Sequence, residues 1–315
     1  YAFPYNMALG AIKDNKLVEL AGKHIGEHCK RLGVHFNFAP VVDINTNPKN
    51  PIIGNRSFGE DRDNVTDKAL AFMKGMQGVG VLANAKHFPG HGDTEQDSHH
   101  TLPTISFNEK RIDSVELYPY KELINKGLSS VMVAHLNVPS LESRENYPSS
   151  LSKHIVSDIL KDSLGFKGLI FTDALTMKAA ANFNSPGEID LAAFKAGNDV
   201  MLMSASVLEG VSKIIEAYEN EEITEERLAH SVKKILMAKY KVGLNAYKPI
   251  GTFNLFEDLN RLEDDVLYEE LIENALTVIK NKPDNLPLRS LETRSIAYVK
   301  LGDDDGTPFL RELQK

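Results

Sequence analysis

Apolar and polar positions along the chain fall into two alternating rhythms. Short runs apolar on both faces occur at 34–43 (VHFNFAPVVD), 80–88, 127–138, 167–173 and 198–204. Between them lie stretches with helical periodicity at 13–32, 64–79, 108–126, 151–164, 186–196, 206–219 and 224–241. Strands buried on both faces that alternate with amphipathic helices predict parallel βαβ units. Beyond Gly243-Leu244 the rhythm breaks. The pattern predicts an irregular linker over 245–293 with a helix near 264–274, then a strand at 295–301 and a helix over 307–314.

The residues that close the strands sharpen this picture. Asp43, His87, His135, Asp173 and Ser204 each follow an apolar run. Polar groups gathered at the C-terminal ends of parallel strands characterise an α/β fold of the (β/α)8 TIM-barrel type. Five strands cannot close such a barrel, so about three more are expected ahead of Tyr1. The domain scheme is therefore a barrel domain over 1–244, incomplete at its N-terminus, a linker over 245–293, and the start of a second, incomplete domain over 294–315.

Composition narrows the class. The 315 residues are 42% hydrophobic and 25% charged, enough for a sizeable core. A formal charge of -8 with scattered Lys and Arg argues against nucleic acid as a partner. No apolar run approaches the roughly 20 residues of a membrane span. The single cysteine, Cys29, excludes an intramolecular disulfide and is read as a packing residue.

The densest chemistry is Lys86-His87-Phe88-Pro89-Gly90-His91-Gly92-Asp93, continuing through Asp97-Ser98-His99. Lys86 and His87 sit at a strand end, suited to donating hydrogen bonds to sugar hydroxyls. Asp97 and His99, two apart in an extended loop, point the same way, so the carboxylate can hold the imidazole as a proton donor and acceptor. Asp173 ends the strand before Ala174-Leu175-Thr176-Met177. There it serves either as a nucleophile or as the cap of the next helix. Arg56, in Asn55-Arg56-Ser57-Phe58-Gly59, either reaches across the barrel mouth or pairs with Glu60 or Asp61. Asp43 has the alternative role of satisfying loop amides, and His135 is either a ligand contact or a buried, bonded histidine. A metal site was weighed for His87, His91, Asp93, Asp97, His99 and His100. Pro89-Gly90 denies the two histidines a shared helix face, so no metal or cofactor is assigned.

Together, FAPVVDI (38–44), NRSFG (55–59), KHFPGHGDTEQDSH (86–99), VMVAHL (131–136) and LGFKGLIFTDALTM (164–177) resemble glycoside hydrolase family 3, in its NagZ-type β-N-acetylglucosaminidase branch. The resemblance spans about residues 3–244. It implies a retaining exo-β-N-acetylglucosaminidase that releases terminal β-linked N-acetylglucosamine from muropeptides or chitooligosaccharides. Asp173 would be the nucleophile and His99, assisted by Asp97, the acid/base. Arg56, Lys86, His87, His135 and Met177 would line the substrate site. Phosphorolysis in the same site, an inactive sugar-binding member and a metal-dependent barrel hydrolase are the alternatives. Two departures stand out: no residue here corresponds to the aspartate that relatives carry on an earlier strand, and Ala174 follows the nucleophile position where many have a second Asp. By the same resemblance, 294–315 begins an α/β sandwich domain, and relatives with that domain point to the cell envelope or secretion.

Overall fold

The structure is a computed structural model and describes residues 2–95, 101–282, 286–300, 302 and 306–314. The helices run in the order α1 (Asn6–Ala11), α2 (Asn15–Arg31), α3 (Arg62–Gly78), α4 (Glu109–Arg111), α5 (Tyr118–Asn125), α6 (Lys178–Ala181), α7 (Pro186–Ala196), α8 (Val207–Glu219), α9 (Glu225–Lys241), α10 (Leu255–Asp258), α11 (Leu262–Ala275) and α12 (Thr307–Leu313). The strands are β1 (Phe36–Asn37), β2 (Leu82–Phe88), β3 (Ser130–Val133) and β4 (Leu169–Thr172), and segments 112–116 and 154–163 are wound as π-helix. The chain divides into two compact units, Tyr1–Leu276 and Thr277–Lys315. No helix among the described residues is long and apolar enough to cross a membrane.

The first unit is an α/β fold around one parallel sheet, β1-β2-β3-β4, whose strands pair in chain order. Every residue of β3 and β4 is buried, which explains their unbroken apolar runs. The sheet is strongly curled. In a flat sheet β1 and β4 would stand about 14 Å apart. Instead, Phe36 and Phe38 beside β1 meet Phe171 of β4 edge-on, with ring centroids 5.4 and 5.3 Å apart.

Helices α2 and α3 cover the outside. Asp14 and Asp61 cap them by accepting the Lys16 and Asn64 backbone N–H. The pair touches backbone to backbone. A Cβ on Gly22 would lie 2.3 Å from the Phe72 carbonyl oxygen, and one on Gly75 would lie 1.9 Å from that of Glu19. Helix α11 packs on α2 through Asp264. This carboxylate is completely buried and accepts from His24 Nδ1 at 2.7 Å, His28 Nε2 at 2.9 Å and Arg261 NH2 at 3.0 Å. The expected linker segment thus supplies two helices, α10 and α11, to the first unit.

Three predicted strands differ in the structure. The run 34–43 keeps a ladder only at Phe36–Asn37 and one bridge, Val41 to Lys86. Pro40, which has no N–H to donate, interrupts it. The run 198–204 lies parallel to β4 but forms only the Val200–Phe171 bridge. The Leu202 N–H donates to the Thr172 hydroxyl, so a side chain takes the place of a ladder carbonyl. In the second unit, the predicted strand at 295–301 is absent over its described residues 295–300. A lone strand without a pairing neighbour is not stable. That unit has the short helix α12, a 3₁₀ turn at Leu291–Thr293 and a Tyr298–Phe309 ring contact at 5.6 Å.

Candidate active site

Among the described candidates, Lys86, His87 and Asp173 lie at the C-terminal ends of the strands, where loops in such folds carry chemistry, and Arg56 reaches His87 from its own turn. A large hollow of about 1130 Å³ is elsewhere. It is lined by Leu82, Leu128 and Leu169 at the strands' N-terminal ends together with α9, and its walls are mainly apolar. A smaller hollow of about 250 Å³ opens beside Phe38, Val41, Asn55, Arg56 and Lys86, with Tyr5 and Asn6 on its rim.

Asp43 is the hub. Its carboxylate is buried and accepts His87 Nδ1 at 2.6 Å, the His91 N–H at 2.7 Å and the His87 N–H at 3.2 Å. Burial alone would raise this carboxyl. The neighbouring His87, its hydrogen bond, and His91 outweigh burial and hold the carboxyl below its ordinary value. The Asp43 backbone carbonyl accepts the Ser57 hydroxyl at 2.6 Å, fixing the turn that presents Arg56. Arg56 also has its carbonyl bonded by Asn6 Nδ2 at 2.7 Å. Its guanidinium faces His87 Nε2 at 3.2 Å and donates to the Ile52 carbonyl at 3.2 Å. Of the two roles the sequence leaves open for Arg56, reach toward His87 is the one seen.

Guanidinium N–H groups only donate, so His87 Nε2 accepts and the ring proton sits on Nδ1, bonded to Asp43. His87 is therefore an acceptor at Nε2, taken up by Arg56, where the sequence suggests a donor. Lys86 beside it is held below the ordinary lysine value by burial and by Arg56, against the pull of Asp173 and Asp43. The peptides Lys86–His87 and Phe88–Pro89 are cis.

Asp173 follows β4. Its Oδ1 accepts the Ala174 N–H at 2.8 Å, and the next helix, α6, starts only after Met177. It is thus not that helix's cap. Burial would raise Asp173. His87, His135, the Ala174 N–H and Lys86 outweigh burial and lower it, which keeps the carboxylate ionised. His135 is fully buried behind this strand end. Burial lowers its affinity for a proton. The ring donates from Nε2 to the Ala174 carbonyl at 3.0 Å and accepts the Ser150 hydroxyl at Nδ1, 2.6 Å away. It therefore supports the Asp173–Ala174 peptide from behind and does not reach the mouth. Met177 is partly buried and caps α6. Asp97 and His99 lie outside the described residues.

The loop leading toward them is pinned. Asn50 donates to the His91 carbonyl at 2.8 Å and accepts from the Ile52 and Ile53 N–H, while Thr46 donates to Asp93 at 3.0 Å. The sequence carries almost no local mark of these roles for Asn50, Ser57 or Ser150. An Asn before Pro51 is the one local sign, because such residues cap their own turns. Among the described residues, no three His, Cys, Asp or Glu side chains converge as a metal shell.

A curled parallel sheet whose strand ends bring together an aspartate, a lysine and a carboxylate-held histidine, with an arginine beside them, defines an α/β scaffold with a polar site at one end of the sheet. Residues 2–238 match the model of the glycosyl hydrolase family 3 N terminal domain. The chain belongs to glycosyl hydrolase family 3. It is 33% identical over 311 residues to a "Beta-hexosaminidase A" of Pseudoalteromonas piscicida, covering 91% of this chain and 51% of that protein. Among solved structures it is similar to a family 3 β-N-acetylglucosaminidase from Paenibacillus sp. str. FPU-7, with 36% identity and a TM-score of 0.84, over 90% of this chain and 54% of that one. It is also similar to "Beta-glucoside phosphorylase BglX bound to 2FGlc", with 26% identity and a TM-score of 0.85, over 91% of this chain and 53% of the other. The chain spans about half the length of these relatives.

Proposed function

We propose that this chain carries the catalytic centre of a retaining exo-β-N-acetylglucosaminidase, on a parallel sheet that forms part of a (β/α)8 barrel within 1–244. Asp173 attacks the anomeric carbon and forms the glycosyl-enzyme. His99, assisted by Asp97, protonates the leaving oxygen and then activates the acceptor. Arg56, Lys86 and His87 hold the sugar. The observation that carries this proposal is the placement of the Asp173 carboxylate directly after β4, bonded by the Ala174 N–H and at the same strand ends as Lys86 and the Asp43-held His87. A nucleophilic carboxylate must be ionised before attack. The likeness to proteins named β-hexosaminidase and β-N-acetylglucosaminidase supports the substrate, and the contact of Phe36 and Phe38 with Phe171 supports barrel curvature.

The test is p-nitrophenol release from the β-N-acetylglucosaminide and the β-glucoside by the full-length protein, with and without phosphate. Selective cleavage of the N-acetyl substrate is expected, abolished by Asp173→Asn and by His99→Ala in folded protein. Near-wild-type turnover in either variant refutes the assignment. The likeness to a β-glucoside phosphorylase makes the acceptor a second question. A sugar 1-phosphate as the phosphate-dependent product assigns phosphorolysis.

A further inference from the structure

We propose that Asp43 is a positioning residue that locks His87 as the Nδ1–H tautomer, so that Nε2 accepts from Arg56 and aims its guanidinium at a substrate oxygen. This rests on the proposed sugar site at Arg56, Lys86 and His87. The chain of hydrogen bonds has one consistent direction. Asp43 is a pure acceptor and takes the Nδ1 proton at 2.6 Å. Arg56 is a pure donor and faces Nε2 at 3.2 Å. A ring protonated on Nε2, or on both nitrogens, would set donor against donor at Arg56. Nε2 has one lone pair and Arg56 occupies it, so the imidazole acts by aiming the guanidinium, whose remaining N–H groups are left to donate to a substrate oxygen.

Asp43 is placed to hold more than one ring. The same residue bonds the His91 N–H through its carboxylate and Ser57 through its carbonyl. It thereby ties the Arg56 turn, the end of β2 and the start of the 90–95 loop to one buried atom group. Buried and already bonded, it acts through His87 and has no call to touch substrate.

Asp43→Asn keeps the shape and reverses the bond. With the asparagine oxygen on the His91 N–H, its NH₂ faces Nδ1, the ring moves its proton to Nε2, and Arg56 loses its acceptor. Nitrogen-15 NMR of histidine-labelled protein reads this directly, with His87→Gln to assign the signal. The wild type is expected to show His87 with its proton on Nδ1 and a bare Nε2, and Asp43→Asn to show the proton on Nε2. On the N-acetylglucosaminide, Asp43→Asn is expected to lower kcat/KM about 10- to 100-fold, mainly by raising KM. A purely structural loss would lower kcat by reducing the active fraction and leave KM unchanged. A wild-type ring protonated on Nε2 overturns the proposal, and so does an Asp43→Asn variant with unchanged tautomer and KM. Should Asp43→Asn not fold, the wild-type spectrum decides alone. Absent hydrolysis by the wild type would refute the sugar-cleaving function and leave the tautomer result standing.

Discussion

Removing the Asp264 carboxylate tests what holds α11 to the sheet-bearing unit. The side chain is completely buried and faces three cationic or protonatable groups. Burial alone would raise its carboxyl. Hydrogen bonds from Arg261 and His24, with His28 adding charge and a bond, pull it well below the usual carboxylate range. Asp264→Ala strips these bonds and the acceptor for the Arg261 N–H that caps α11. Breaking a buried pair by removing one partner costs about 3–5 kcal/mol. Here the lower end applies, because His24 and His28 remain 13% and 11% exposed and Arg261 keeps Glu27 at 2.8 Å. The expected loss is about 3 kcal/mol. The control is Asp258→Ala, which breaks the Arg31 pair on the same helix at a carboxylate 47% exposed. Exposed pairs contribute about 1 kcal/mol or less. Both variants would be measured by urea unfolding at neutral pH, with the slope checked for constancy. A loss under about 1 kcal/mol for Asp264→Ala, or equal losses for the two, would refute the reasoning.

Acid sensitivity should come first from His91. Burial, and secondarily His87, push its ring down to about 4, against the attraction of Asp43 and Asp173. A depressed folded value means that the unfolded chain binds the extra proton. The stabilisation is therefore complete above about pH 6.5 and is lost as pH falls toward 4, to a total of about 3 kcal/mol. Thermal unfolding of His91→Gln across that window should show a flatter pH slope than the wild type, and parallel slopes would contradict the burial argument. Gly92→Ala should impair turnover more than folding. Its Cβ would fall 1.9 Å from the Ile44 carbonyl oxygen, so the loop leading to Asp97 and His99 must shift. A stability cost of about 1–3 kcal/mol is expected, with at least about a tenfold loss of kcat/KM, and unchanged kinetics would count against the pinned loop.

How far the sequence reveals this arrangement depends on distance along the chain. Asp43, His87, His135 and Asp173 are legible because each follows a run apolar on both faces, and that contrast marks a strand end. Their partners are not legible. The Ser150 that fixes His135 is fifteen residues on, and His24 and His28 are 240 and 236 residues from Asp264. Nothing local in a helix reading ELAGKHIGEHC says that two of its histidines face a carboxylate so far away. Gly22 and Gly75 are alike in this respect, since their need to lack a Cβ appears only when α2 and α3 touch. The run 198–204 misleads for the opposite reason. Its apolar residues are strand-like, but whether a ladder forms was decided by Thr172 on the neighbouring strand.

Asp43 and Asp264 show why burial alone does not reveal what a carboxylate is for. Both are buried, both are lowered, and each is bonded by histidine. They differ in what lies on the far side of the imidazole. The histidines at Asp264 end in the α2–α11 contact, so the charge there serves only to hold two helices. Across the His87 ring from Asp43 stands Arg56, beside a hollow that also receives Lys86. Only there does fixing a ring proton decide how a side chain at the mouth is aimed. The two substitutions should therefore diverge: Asp264→Ala in unfolding free energy with KM unchanged, and Asp43→Asn in KM with a smaller change in stability. Unfolding and kinetic measurements on the same two preparations would separate a carboxylate that holds the fold from one that aims the site.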